Sequence, residues 1–275
     1  MGDNKMKAGF IGFLPKDEKA DIIPILKDYA GLGYSGIEGG DNLFRRGDPA
    51  ENLKKIKSFG LEPLAVRARI TEELDIPEII RRAGLLGVNR AAIFVGTVGM
   101  HHFSGSPSVP GYDEVMKEIE LMEGLAGKLS REGLTLSFHN HHVEFLTCYK
   151  GLPAFYLIKE NTDLLKFELD CGWVSYAGYD PVTVMRSLGD RLAAVHIKDY
   201  VPGEVSISMP DGKIRTMPRF TTPGTGVLDL KGCLKAASEM NTDYAIVEQD
   251  FQYRLTEKET LAAAYLNMKE SGFVS

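Results

Sequence analysis

The chain is poor in cysteine and has no block of basic residues, and each of these features excludes a class of protein. Its three cysteines, Cys148, Cys171 and Cys233, are odd in number, far apart and without a CxxC pair. This pattern predicts neither a disulfide framework nor a zinc knuckle, so we expect a reducing, cytoplasmic setting in which Cys171 is a buried, inert thiol. The net charge of −6 and the lack of a Lys/Arg block argue against a nucleic-acid partner.

Long hydrophobic runs are also missing from the chain. No stretch of about 18 or more apolar residues occurs, which argues against a membrane partner, and the apolar part of the opening MGDNKMKAGFIGFL is too short for a secretory signal. We therefore expect a soluble protein. Its 275 residues, 44% of them hydrophobic, suit one large α/β barrel better than two average domains.

Short apolar runs with a period of two alternate along the chain with amphipathic stretches, as is typical of repeated βα units around a parallel sheet. The predicted strands are Lys7–Phe13, Ser35–Gly39, Glu62–Val66, Arg90–Val95, Leu134–His139, Leu165–Asp170, Ala193–Lys198 and Tyr244–Glu248. The predicted helices include Lys19–Gly31, Asp113–Glu132 and Glu257–Lys269. Eight such units favour a (β/α)8 TIM barrel, a single domain over residues 1–275. A doubly wound sheet is disfavoured because no GxGxxG follows the first strand.

One connection, residues 199–228 between the seventh strand and its helix, is unusually long. It contains two alternating runs, VSISM and KIRTM, around a Pro-Asp-Gly turn, which predicts a β-hairpin insertion. Long loops inside compact domains are often functional, so the insertion is expected to serve as a lid or as a surface that packs against another subunit. Both roles stay open, and a homo-oligomer is compatible with the second.

Polar side chains recur at the carboxyl ends of four strands, with the parity that faces the barrel interior. In Leu134–His139 the apolar residues share the parity that faces the helices, and His139 has the parity that faces the interior. By the same alternation, Asp170, His196 and Glu248 face the interior on their own strands. Two imidazoles and two carboxylates suit a divalent cation such as Mn²⁺, Zn²⁺, Fe²⁺ or Co²⁺. The sequence therefore predicts a metal site at the mouth of the barrel.

Each of these residues also has a purely structural interpretation. A single histidine at a strand end is more often a hydrogen-bonded structural group than a ligand, and Asp170 and Glu248 could cap the helices that follow them. The convergence of four such residues favours the metal. His141 and His142 are adjacent and so are not both expected to face the mouth.

The second half of the chain resembles the sugar phosphate isomerase/epimerase group of xylose isomerase-like TIM barrels. The stretches that carry the resemblance are HNHHVEF (139–145), FELDCGWVSYAGYDP (167–181), VHIKD (195–199), PGTGVLDL (223–230) and IVEQD (246–250). In that family a Glu, an Asp, a His and a Glu on strands five to eight bind the metal, and the two Glu carboxylates carry the proton. The resemblance supports Asp170, His196 and Glu248 as ligands. The chain departs from the family pattern where His139 replaces the first Glu and Trp173 replaces a common His.

Sequence proximity to the predicted site, strand parity and the resemblance together give roles to further residues. Glu248 is the first candidate for the base that removes a proton next to a carbonyl, and Glu144 is the second unless it orients a ligating histidine. Lys198 would stabilise a developing enediolate or form a salt bridge, and Asp199 would orient His196. The residues placed with the substrate are Glu38, His141, which is also a third candidate base, Trp173 and Arg219. Trp173 would form a wall for a sugar face or pack in the core, and Arg219 would bind a substrate hydroxyl unless it is a solvated loop arginine, the interpretation that its loop position favours.

Three functions follow from this interpretation. The first is a metal-dependent isomerase or epimerase of a sugar, keto-sugar or related polyol, with a small-molecule sugar or sugar derivative as partner. The second is a lyase or hydratase acting on a keto-sugar or 3-keto-glycoside, which the loss of one proton-carrying carboxylate at His139 favours. The third is a non-catalytic sugar-binding barrel, since fold alone does not determine activity. DNA repair of the endonuclease IV type is disfavoured by the charge of −6.

Overall fold

The computed structural model describes residues 5–70, 75–106, 108–208, 212, 214–252 and 254–275. In chain order the strands are β1 (Lys7–Phe10), β2 (Gly36–Ile37), β3 (Glu62–Pro63), β4 (Val66–Ala68), β5 (Arg90–Ile93), β6 (Thr135–His139), β7 (Cys148–Tyr149), β8 (Leu152–Pro153), β9 (Lys166–Asp170), β10 (Leu192–Ile197), β11 (Asp199–Ser208), β12 (Ile214–Thr221) and β13 (Tyr244–Val247). Nine of them form one parallel sheet in the order β3-β2-β1-β13-β10-β9-β6-β5-β4.

The two ends of this sheet come from the same short piece of chain. β3 pairs with β2, whereas β4, only two residues further along, pairs with β5 on the other side. The segment 62–68 is therefore one strand that is interrupted at Leu64 and Ala65, and it joins both edges of the curled sheet. The architecture is the eight-stranded parallel barrel that the sequence predicts.

The helices lie between the strands and cover the sheet with their apolar faces. They are α1 (Ile23–Leu32), α2 (Pro49–Ser58), α3 (Ile76–Leu86), α4 (Thr97–Ser104), α5 (Tyr112–Arg131), α6 (Val143–Leu146), α7 (Ala154–Glu160), α8 (Cys171–Tyr176), α9 (Pro181–Leu188), α10 (Leu230–Glu239) and α11 (Glu257–Glu270). Local chemistry sets many of their ends. Asp48 accepts a hydrogen bond from the first turn of α2, and Gly87 ends α3 in the left-handed conformation. None of the helices in the described ranges is both long and apolar enough to cross a membrane.

The predicted strands are present, but most are shorter than expected. The first strand was predicted as Lys7–Phe13 but ends at Phe10. The backbone then turns at Gly12 and Phe13, both of which have positive φ angles. The third strand differs in the other direction, because it was predicted to end at Val66 and instead continues to Ala68. Arg67 is therefore a residue of β4 rather than of the loop after it.

The long connection after β10 contains the predicted hairpin. β11 and β12 pair antiparallel, with Tyr200 opposite Phe220 and Ser208 opposite Ile214. The predicted turn at Pro210 and Asp211 lies outside the described residues.

Asp199 anchors the loop that follows this hairpin. Its buried carboxylate accepts backbone hydrogen bonds from Tyr200, Gly224, Gly226 and Leu228 at 2.8–3.0 Å. Asp199 therefore fixes the PGTG loop and does not orient His196, because Nε2 of His196 lies beside the carboxylate of Glu38 instead. A Cβ at Gly226 would lie 2.2 Å from Asp199 Oδ1, so only glycine fits so close to this carboxylate.

Candidate metal centre

The register of neighbouring parallel strands brings the four predicted ligands to one level of the barrel. Asp170 at the end of β9 is in register with His196 on β10, and His139 at the end of β6 is in register with Glu168 on β9. Glu248 directly follows β13, where its backbone N–H donates to Ile197 O at 3.2 Å. Because side chains in register on a parallel sheet share a face, these groups point together into the barrel.

The ligand atoms of His139, Asp170, His196 and Glu248 all lie within 4.8 Å of one another. Nε2 of His139 is 4.0 Å from Asp170 Oδ2 and 4.0 Å from Glu248 Oε2. On the opposite side, Nδ1 of His196 lies 2.8 Å from the same Glu248 oxygen. The four-strand convergence predicted from parity is therefore present in space.

The cluster is buried but opens on one side through Glu248. The side chains of His139, Asp170 and His196 are at most 2% exposed, whereas that of Glu248 is 20% exposed. A molecule arriving from the mouth of the barrel would meet the Glu248 carboxylate first.

The donors fit a divalent cation. Oδ1 of Asp170 caps α8 by accepting from the Trp173 backbone N–H at 2.8 Å, while the buried Oδ2 has no hydrogen-bond partner within the described part of the chain. Burial, together with the charge of Glu248, raises the pKa of Asp170 to about 6. A cation beside Oδ2 would lower this pKa further, because the Lys198 ammonium, 3.4 Å from Oδ2, still leaves it above the ordinary value.

A second buried cluster lies beneath the first and fixes the orientation of His196. Nε2 of His196 lies 2.6 Å from Glu38 Oε2, and the Arg90 guanidinium forms ion pairs with both Glu38 and Glu168. Arg90 also donates to Ser137 Oγ at 3.3 Å. Glu38, Glu168 and His196 converge closely enough for a metal. However, the guanidinium already provides the positive charge there, so the upper cluster is the candidate metal centre.

The charges of this lower cluster determine how Glu38 and His196 titrate. Burial alone would raise the pKa of Glu38, but the charges of Arg90 and His196 hold it at about 2. Burial would lower the pKa of His196, but Glu38 and Glu248 raise it to about 9. With Glu38 ionised, Nε2–H of His196 has a fixed acceptor, and Nδ1 is the atom directed at the metal centre.

Lys198 places a buried ammonium group at the side of the centre. Its Nζ is 3.4 Å from Asp170 Oδ2, 3.4 Å from Glu248 Oε2 and 2.8 Å from Asp250 Oδ2. Burial opposes the charge of Lys198, but these three carboxylates outweigh it and raise the pKa of the amine. Lys198 is therefore a permanent cation in the site rather than a ready proton donor.

His141 and His142 both turn inward, although adjacent residues were not expected to do so. The chain leaves β6 as a short loop, which allows the His141 ring to lie 5.0 Å from the His139 ring while His142 stacks on Trp173 at 4.7 Å. Burial lowers the pKa of His142 to about 3. Trp173 is 1% exposed and lies under the Lys198 ammonium at 4.8 Å, so it forms the wall of the centre together with His142.

The remaining predicted site residues lie outside the metal cluster. Glu144 is 1% exposed and accepts from the His141 backbone N–H at 2.7 Å, which supports the loop after β6. Glu38 lies in the lower cluster and is fully buried, so it does not line the mouth. Arg219 is exposed on β12 and lines a cavity of about 810 Å³ that none of the four candidate ligands borders.

Arg90, Glu168 and Asp250 surround the centre but were not singled out in the sequence. The signal for Glu168 was its inward parity between Lys166 and Asp170. Arg90 begins its strand and has the parity of Ala92, which faces inward in register with Ser137. A charged residue of inward parity needs a partner, so pairing the inward arginine with the inward glutamates would have predicted this layer.

Comparison with known proteins identifies the family. The family model described as xylose isomerase-like TIM barrel matches residues 26–268. The inosose dehydratase of Clostridium tetani is 25% identical over 243 residues, which cover 82% of this chain and 80% of that protein.

Two solved structures illustrate the similarity of fold. A sugar phosphate isomerase/epimerase from Parabacteroides distasonis has a TM-score of 0.72 at 20% identity, covering 99% of this chain and 96% of that one. The 3-keto-D-glucoside 4-epimerase YcjR from E. coli has a TM-score of 0.64 at 17% identity, covering 95% of this chain and 100% of that one.

Proposed function

Since the chain belongs to the xylose isomerase-like TIM barrel family, we propose that it is a metal-dependent dehydratase that acts on a keto-polyol or keto-sugar. The proposal assigns His139, Asp170, His196 and Glu248 as ligands of Mn²⁺, Zn²⁺, Fe²⁺ or Co²⁺. An ion bound there would polarise the substrate carbonyl and a neighbouring hydroxyl oxygen. The proposal reverses the order inferred from sequence, in which isomerase or epimerase came first.

The observation that carries the proposal is that Glu248 is the only carboxylate of the four-residue cluster with an exposed face. Burial would raise the pKa of Glu248, but Lys198 and His196 hold it well below the usual value, so the carboxylate is ionised at neutral pH. His139, which replaces a carboxylate of the family pattern, has a side chain only 2% exposed, against 20% for that of Glu248. The cluster therefore offers one carboxylate base that a substrate at the mouth can reach.

One base is sufficient for the loss of water. Glu248 takes the proton from the carbon next to the carbonyl, and the C–H electrons form the new C=C bond as the C–O bond to the β-hydroxyl breaks. The leaving hydroxyl collects that proton and departs as water, so the carboxylate is regenerated. Lys198, a fixed cation 3.4 Å from Glu248, stabilises the negative charge that develops on the substrate oxygens.

The relatives support the same choice of reaction. The inosose dehydratase of C. tetani matches over most of both chains. We carry the reaction type, but not the particular substrate, from this relative to the chain.

An isomerase or epimerase is the second candidate. Epimerisation returns a proton to the opposite face of the carbon and needs a second proton carrier. The His141 ring, 5.0 Å from that of His139 and partly exposed, is the nearest group of that kind. Its low pKa, caused first by burial, makes it a poor one.

The hairpin of β11 and β12 is proposed to cover the mouth. Met217 and Phe220 of β12 pack on Trp173, which stands beside Lys198. A cover at this position would exclude water from the carbonyl and prevent early loss of the intermediate anion.

Mass analysis of the products separates the candidate reactions. Protein loaded with Mn²⁺ is incubated in D₂O with inososes, keto-hexoses and 3-keto-glucosides, and with acidic and phosphorylated keto-sugars. Dehydration gives a product lighter by one water, whereas isomerisation keeps the mass apart from one exchanged deuterium. Glu248→Gln should abolish either reaction, and Glu270→Gln, an exposed change on α11, should leave it intact. No turnover of any substrate by the loaded protein would contradict the proposal and favour a sugar-binding barrel.

A further inference from the structure

A cavity rich in arginine lies at the mouth of the barrel on the side opposite Lys198. It has a volume of about 420 Å³ and lies beside the carboxyl ends of β2 and β4. Its basic lining residues are Arg45, Arg67, Arg69 and Arg82. Neither the sequence motifs nor the candidate metal centre uses any of them.

The strand register turns Arg67 toward the barrel interior. Arg67 on β4 is in register with Ala92 on β5, which is in register with Ser137 on β6. Ser137 has the same parity as His139, so Arg67 faces the same side of the sheet as the metal centre. Arg69 lies two residues further along, just past the end of β4, and shares that parity.

Phe94 connects Arg67 to the metal centre. The Arg67 guanidinium lies over the Phe94 ring at 5.1 Å, and that ring is 6.0 Å from the ring of His139. The negative charge of Glu248 also acts on Arg67, opposing the fall of its pKa. The Phe94 ring therefore lies between the Arg67 guanidinium and His139, while none of the four candidate ligands lines the cavity itself.

The carboxylates around the cavity are already engaged. Asp41 pairs with Arg82 and accepts the Arg67 backbone N–H at 2.8 Å. Glu78 binds Arg81 in a salt bridge on the surface of α3, and Asp75 caps the same helix. Each of the three carboxylates that line the cavity therefore already has an arginine or a backbone N–H group as a partner.

Arg67 and Arg69 have no carboxylate partner among the residues that the structure describes. Arg45 reaches Glu18 only at 3.4 Å, with both side chains at least half exposed. Burial, followed by the charges of Arg69 and Arg45, lowers the pKa of Arg67. Three like charges directed at one polar cavity repel each other, and an anion between them would relieve that repulsion.

We propose that Arg67 and Arg69 bind an anionic oxygen group of the substrate, a carboxylate or a phosphate, at the end remote from its carbonyl. The inference rests on the proposed function, because it assumes that the same molecule reaches the metal centre. Guanidinium groups bind both kinds of oxyanion through paired, charge-assisted hydrogen bonds. The substrate class is therefore an acidic keto-sugar or a keto-sugar phosphate rather than a neutral polyol.

Equilibrium binding tests the inference without requiring turnover. The Mn²⁺-loaded protein is titrated in a calorimeter with D-glucose, D-glucuronate and D-glucose 6-phosphate, which share a ring and differ at the sixth carbon. One of the two anions should bind roughly 10- to 100-fold more tightly than glucose, as expected for one charge-assisted contact. The tighter of the two anions identifies the source of the charge.

Variants assign that preference to the arginines. Arg67→Gln, Arg69→Gln and the double variant should bind the anion about as weakly as glucose, while Arg67→Lys should recover part of the preference. Arg131→Gln, an exposed change at the end of α5 that does not line the cavity, should bind like the unaltered protein. Thermal unfolding of each variant checks that the fold is kept.

Other outcomes overturn the inference. Equal affinity for glucose and both anions would do so, as would anion binding that survives in the double variant and disappears on metal removal, because the anion would then bind the metal. If the arginine-dependent preference is found but no substrate is turned over, the subsite stands and the proposed dehydratase fails. If neutral substrates are dehydrated at a rate that Arg67→Gln does not change, the proposed dehydratase stands and the anion subsite fails.

Discussion

Glu38 is the residue that holds the orientation of His196. Its Oε2 lies 2.6 Å from Nε2 of that histidine, and its other oxygen is bound by Arg90. The sequence revealed the inward parity of Glu38 but not the arginine beneath it, because parity gives the face of a residue and not its depth in the barrel. Glu38, which was expected to bind the substrate, thus orients the candidate metal ligand His196 instead.

Replacing Glu38 by Gln should weaken metal binding. The variant removes the charge that fixes Nε2–H of His196, and loss of such a partner typically costs about 10- to 100-fold in metal affinity. Competition with a fluorescent chelator measures the dissociation constant of Mn²⁺. The matched change Glu62→Gln, at an exposed residue on β3, should have no effect. An unchanged Mn²⁺ affinity of Glu38→Gln would contradict the role of Glu38 in orienting His196.

Glu144 makes stability depend on pH. Burial raises the pKa of this carboxyl to about 8, from an ordinary value of 4.5. The folded protein therefore binds a proton more tightly than the unfolded chain between these values. Its contribution to stability is fully present below pH 4.5 and is lost as the pH rises through 8.

The variant Glu144→Gln should flatten that dependence. The amide oxygen can still accept the His141 backbone N–H, but the side chain no longer ionises. The melting temperature of the variant should exceed that of the unaltered protein by a few degrees at pH 8.5 and match it near pH 5, which is about the effect of 1–2 kcal/mol. A melting temperature that is equally lower at both pH values would show that Glu144 acts only through packing.

At the scale of the element, strand patterns predicted the site better than they predicted strand ends. The inward parity of β6, β9 and β10 predicted the ligands because a parallel barrel has only two faces. The third strand was predicted to end at Val66, whereas the structure continues it to Ala68. Arg67 was missed as a result, since pairing with β5, which the local sequence does not encode, extends the strand.

Asp199 is expected to control the order of the loop that joins the hairpin to α10. Asp199→Ala removes a buried acceptor of four backbone N–H groups and should lower the free energy of unfolding by about 3 kcal/mol or more. Amide exchange in residues 222–228 should also accelerate. The helix-cap variant Asp229→Ala, whose residue accepts from Gly232 N–H at 2.9 Å, should cost only about 1 kcal/mol. Equal protection of the loop in both variants would contradict this role.

At the scale of the whole molecule, the barrel gathers charges that no local segment could hold. Two carboxylates and two imidazoles of the upper cluster come from four strands, and the lower cluster adds Arg90 between two further glutamates. The sequence alone predicted the fold and the upper cluster because both follow from a repeated pattern. It did not predict the lower cluster or the arginine cavity, because these depend on which side chains meet across the barrel.

The most direct test of the account is the metal content of the purified protein. Elemental analysis should find close to one divalent ion per chain after reconstitution with Mn²⁺, Zn²⁺, Fe²⁺ or Co²⁺. Single alanine variants of His139, Asp170, His196 and Glu248 should lose most of it, while His101→Ala, at a histidine outside the cluster, should retain it. Absence of metal from the reconstituted protein, or metal that persists in all four variants, would contradict the assignment of this centre and the chemistry derived from it.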